Sequence, residues 1–144
     1  MARRLNQRRS AMPKFLLMVN FDNGVTDTNM DEWEPDEVRA HLNHYEVLGK
    51  ELTDSGEQIQ FMALADPRLA KIVRSDGSSA PVVTDGPYPR SKEVLAGFQV
   101  IDVESAERAI EIAARVSAVP GPGGVPIQQP IEVREVMTES GGDV

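Results

Sequence analysis

The chain has 144 residues, enough for a single domain around one hydrophobic core. It contains no cysteine, which excludes disulfides, thiolate metal centres and thiol nucleophiles, and suits a reducing cytoplasm. Four of the 15 Lys and Arg residues lie in residues 1–10; the other 11 face 23 acids, so the net charge of −8 hides a body at −12.

An acidic body repels phosphate backbones, so nucleic acid is not expected as a direct ligand. Only the basic head, residues 1–12, has the charge to touch nucleic acid or acidic lipid. The head lacks the apolar stretch of a secretory signal and is expected to be a disordered extension. No run of 18 apolar residues occurs, so no membrane span is expected and the protein is expected in the cytoplasm.

Residues 14–21 read as a short buried strand. Residues 22–35 read as a polar, acidic loop anchored by Trp33, with Pro35 suited to a helix first turn. From 36 to 54 the spacing is helical. At about 100° per residue, Val38, Leu42, Tyr45, Leu48, Gly49 and Leu52 share a face, and Ser55-Gly56 supplies a stop. Residues 57–64 read as a second strand, broken by Asp66-Pro67. Residues 70–74 and 80–84 flank Ser75-Asp76-Gly77-Ser78-Ser79 as a hairpin. Residues 94–103 form the longest apolar strand. Residues 104–116 read as a second helix with Ala106, Ala109, Ile110, Ala113 and Val116 on its apolar face. Pro120-Gly121-Pro122-Gly123-Gly124 reads as a flexible loop. Residues 126–137 read as a last strand, and 138–144 as a polar tail.

This order, two β-α-β halves with an extra hairpin between them, predicts an α+β ferredoxin-like fold with both helices on one sheet face. The other face is left bare. Because the strand at 94–103 carries apolar side chains on both faces, that bare face predicts a homodimer.

Several segments resemble the YCII-related family, in its DGPF branch. They are Thr84-Asp85-Gly86-Pro87-Tyr88, Lys92-Glu93-Val94-Leu95-Ala96-Gly97-Phe98, and Ile101-Asp102-Val103 leading into an Ala-rich helix. Phe15-Leu16-Leu17-Met18-Val19 and Ile131-Glu132-Val133-Arg134-Glu135-Val136-Met137 fit its opening and closing strands. The similarity covers residues 13–137. It implies a dimeric α/β-barrel of ferredoxin-like units, largely unassigned activity, and a His–Asp pair as active site. It also implies a link of the DGPF branch with extracytoplasmic-function sigma factors. Tyr88 departs from the family's Phe, and the acidic 22–35 segment and Arg-rich head are additions.

Among individual residues, His41 falls at roughly 300° on the first helix when Val38 is set to zero, which turns it toward the sheet. An imidazole so placed must find a partner or lose its charge. Asp85 at a strand end is a candidate partner that would fix the ring tautomer and raise its basicity. The blander reading gives His41 a backbone carbonyl partner and makes Asp85-Gly86-Pro87 simple turn chemistry. Tyr88, Arg90 and Lys92 offer contacts for an anionic ligand, or else form a solvated loop. Tyr45 lies one turn beyond His41 and either bonds into the same cleft or is core.

His41 and His44 face about 60° apart and no His-Glu-x-x-His pattern occurs, so no metal is expected. Nor is a cofactor, since the chain has neither a phosphate loop nor a dinucleotide fingerprint. Two functions remain. One is a cofactor-free acid–base enzyme acting on a small molecule through His41 and Asp85. The other is a non-catalytic module that binds a ligand or a regulatory partner such as a sigma-factor system.

Overall fold

The computed structural model describes residues 13–21, 24–86 and 94–138. β1 (Lys14–Asn20) alternates strictly. Phe15, Leu17 and Val19 turn into the core, while Leu16 and Met18 take the opposite face. The unbroken apolar run thus marks a strand with two apolar faces rather than one buried on both sides.

β1 lies between β5 (Leu95–Asp102) and β6 (Ile131–Glu135), and β2 (Gln58–Ala63) flanks β5, giving the order β2-β5-β1-β6. Every neighbouring pair is antiparallel, with Leu17 opposite Gln99 and Val133, and Ala63 opposite Gly97. α1 (Pro35–Asp54) links β1 to β2, and α2 (Ala106–Ser117) links β5 to β6. This is an α+β arrangement of the ferredoxin-like kind. β6 starts five residues later than the sequence suggests, because Pro126 and Pro130 have no N–H to give a ladder.

α1 begins on a capping box. The Glu34 side chain accepts from the Glu37 backbone, Glu37 returns the bond at 2.9 Å, and Pro35 fits the first turn. Its buried residues are His41, Leu48 and Leu52. Leu42, expected inside, is 56% exposed. The true inner face is therefore rotated toward His41. α2 is capped by Ser105, whose hydroxyl accepts from the Arg108 N–H at 3.1 Å. Ala109, Ile112, Ala113 and Val116 face inward, and Ile112 takes the place expected of Ile110, which is exposed. Both helices press on the face carrying Phe15, Leu17, Val19 and Ile101. Arg108 also grips Glu57 with two bonds of 2.8 and 3.0 Å, tying the start of α2 to the entry of β2.

β3 (Lys71–Arg74) and β4 (Val82–Asp85) pair with each other in a separate two-stranded sheet. Val73, Val82 and Val83 on it are all exposed.

Candidate functional site

Toward the N-terminal half of α1 the sheet offers two positions with little or no side chain, beside Val19 and Phe61. Gly97 on β5 and Ala63 opposite it leave room between the sheet and α1. The result is a cavity of about 710 Å³. Val19, Phe61, Ala63 and Gly97 form its floor, and α1 contributes His41, Leu42 and Tyr45. Met30, Asp31 and Trp33 form the facing wall, with Ile127 and Gln129 at the back.

That wall is fastened to the rest of the chain. Gly24 sits at φ +59°, and a side chain there would run into the Ile127 carbonyl. The next residue, Val25, donates its N–H to that same carbonyl at 2.8 Å. The Trp33 indole N–H donates to the Thr28 carbonyl at 3.3 Å, which fixes the ring over the cavity.

His41 is 7% exposed. Its Nδ1 lies 3.0 Å from the Pro120 carbonyl oxygen. A carbonyl can only accept, so Nδ1 carries the proton and the neutral ring keeps its lone pair on Nε2. The Pro120 segment is itself pinned. Glu37 Oε2 accepts from the Gly123 N–H at 2.6 Å, and Gly121 N–H donates to the Val125 carbonyl at 2.8 Å. Burial pushes the His41 pKa below its usual 6.5; the Pro120 bond opposes this and nearby His44 adds to it. The ring is therefore neutral at pH 7 and able to take a proton at Nε2.

Around His41 the rings form a continuous series. Trp33 meets it edge-on at a centroid distance of 5.3 Å, Tyr45 meets it at 5.3 Å, and Phe61 lies 6.1 Å beyond Tyr45. Burial raises the Tyr45 pKa above 10, so its hydroxyl stays protonated. His44 points elsewhere: its Nε2 lies 2.7 Å from the Arg115 carbonyl and clamps α1 to the end of α2. Among the described residues no three His, Asp or Glu side chains gather where they could hold a metal ion.

The structure thus brings His41 and Tyr45 to one cavity, but it does not pair His41 with Asp85. The imidazole bonds to Pro120, the blander of the two sequence readings. Asp85 stands at the exposed end of β4, where its carboxylate takes the Lys71 Nζ at 2.6 Å. The cause is register: Lys71 lies directly opposite Asp85 across the β3–β4 pair, so the acid meets a cation before it can reach a distant ring. Tyr88, Arg90 and Lys92 lie outside the described residues. Sequence reasoning missed Phe61, Gly97 and Pro120 as site residues and took Trp33 for a loop anchor alone. A lone tryptophan in an acidic loop was the available signal.

A family model for the YCII-related domain matches residues 14–131, a stretch that includes every described cavity residue. The chain belongs to the YCII-related domain family. Among curated proteins no sequence matches it. For this YCII-related protein the resemblance carried by its opening strand and by the Gly97-Phe98 strand is confirmed at the level of the family. Among the described residues no helix is long and apolar enough to cross a membrane.

Proposed function

We propose that this YCII-related protein is a cofactor-free acid–base enzyme whose base is His41 Nε2 and whose substrate is a small molecule with an apolar body. The observation that supports the reading is the Pro120 bond at Nδ1, which leaves the lone pair on Nε2 of a ring that lines a cavity of substrate size. In this mechanism the Pro120 carbonyl orients the ring, the role first expected of Asp85. The carbonyl cannot accept a full proton, but it stabilises the imidazolium formed when Nε2 is protonated. Tyr45, protonated and adjacent, offers a hydrogen bond to the substrate.

The test is proton exchange. A panel of small ketones and lactones is incubated in deuterated water with wild-type protein and with His41→Asn, whose amide can still donate to Pro120 but supplies no base. Wild type is expected to exchange an acidic C–H at least about tenfold faster, with a rate that climbs as pH rises through the lowered His41 pKa. Equal rates would remove the catalytic reading and leave the non-catalytic, sigma-factor-associated module that the DGPF resemblance implies.

A homodimer is part of the same proposal. Leu16 and Met18 on β1 face away from the helices, with Val100 and Phe98 directly opposite them on β5. This face is apolar at its centre and, among the described residues, has no helix over it. Phe98→Glu is expected to convert a dimer to a monomer in light scattering. A wild type that already runs as a monomer at micromolar concentration would sink the dimer.

A further inference from the structure

We propose that the His41 cavity selects an organic cation: a protonated or quaternary amine carried on an apolar body. The inference rests on the reading of this cavity as a ligand site and adds the charge of the ligand. Trp33, Tyr45 and Phe61 all line one space, with His41 between the first two. Ring faces attract cations, most strongly where water is excluded, and offer an anion no such attraction.

Charge points the same way. Among the described lining residues there is no Lys or Arg, and the charged ones are Asp31 and Asp66. Asp66 is already occupied by Arg68, whose guanidinium reaches its carboxylate at 2.8 Å. Asp31 is the acid left to face a ligand. His41 adds no opposing charge while its ring is neutral. Its Nε2 lone pair is an acceptor, matched to the N–H of a protonated amine rather than to a carboxylate. The body of the protein, at −12, draws cations toward every opening and repels anions.

The experiment uses the full chain and its single tryptophan, Trp33, as the reporter. Benzylammonium, benzyltrimethylammonium, benzyl alcohol and benzoate share one ring and differ in charge. Each is titrated while Trp33 emission is followed, at low and at 0.5 M salt. The cations are expected to bind at least about tenfold tighter than the alcohol, a difference of about 1.4 kcal/mol. Benzoate is expected to be weakest. Asp31→Asn, an exposed position, is expected to weaken the cations more than the alcohol and so shrink the gap between them. Added salt is expected to do the same.

If the alcohol binds as tightly as the cations, charge selection falls and the small-molecule cavity stands. If benzoate binds tightest, the inference is overturned in favour of an anion site, the role first expected of Arg90 and Lys92. If no probe shifts Trp33 emission at millimolar concentration, both the inference and the cavity reading fall together.

Discussion

The two halves of α1 share one stripe and meet opposite fates. Leu48 and Leu52, 2% and 0% exposed, close onto Leu17 and Ile101 in the core. His41 and Tyr45, one to three turns nearer the helix start, line the cavity, with Tyr45 also touching the edge of the core. The helical period sets the stripe alone. What the stripe becomes is decided by the sheet opposite, where Gly97 supplies no side chain and Ala63 only a methyl group, too little to fill the gap. A core and a site therefore lie on the same helix face, separated by the size of the residues they look at.

The sharpest way to break this comparison is to empty the filled end. Leu52→Ala is expected to cost about 2–5 kcal/mol, because a fully enclosed side chain leaves a cavity that neighbours cannot collapse into. Leu42→Ala, at the open end of the same helix, is expected to change stability by less than about 0.5 kcal/mol. Urea unfolding of the two variants checks the pair. Similar losses would mean that the cavity is closed in solution.

Next in size is the wall of the open end. Gly24→Ala puts a methyl group against the Ile127 carbonyl at a positive φ, and is expected to cost about 1–3 kcal/mol. Because Val25 bonds to the same carbonyl, the loop carrying Trp33 should detach. A red shift of Trp33 emission in the folded variant reads this directly. An unshifted spectrum would show that Gly24 does not anchor the wall.

The two ends also differ in how far the sequence revealed them. The filled end was legible. Leu48, Leu52, Ala109, Ala113 and Val116 follow the helical period, and the strand order follows from the succession of elements. His41 was legible too, since its angle on the helix turned it inward. Its partner was not. Pro120 contributes a main-chain carbonyl, which any residue could supply, and Pro120-Gly121-Pro122-Gly123-Gly124 has the composition of a flexible loop. What fastens it is the Glu37 bond to Gly123, a contact 86 residues apart that no local pattern encodes. Asp85 misled for the converse reason: an acid in a turn motif drew attention, while its cross-strand neighbour Lys71 became visible only with the register.

The smallest expected effect separates the two ends by pH. At the filled end, Arg108 holds Glu57 below its usual 4.5, chiefly through its side-chain hydrogen bonds. At the open end, burial holds His41 below 6.5. Both groups bind protons more readily in the unfolded chain, so both make stability fall as pH falls. The windows differ. The Glu57 contribution is present above 4.5 and is lost as pH drops through the folded value; Glu57→Gln is expected to cost about 1 kcal/mol at pH 7 and to flatten that window. The His41 contribution is complete above 6.5 and is lost below it, so His41→Asn is expected to flatten only the higher window while leaving the acidic one intact. Unfolding free energies from pH 8 to 3 for the wild type and both variants resolve the two steps. A wild type that gains stability on acidification through 6.5 would mean a His41 charged in the fold, with Nε2 no longer a base and the ring now repelling the cation the cavity is built to hold.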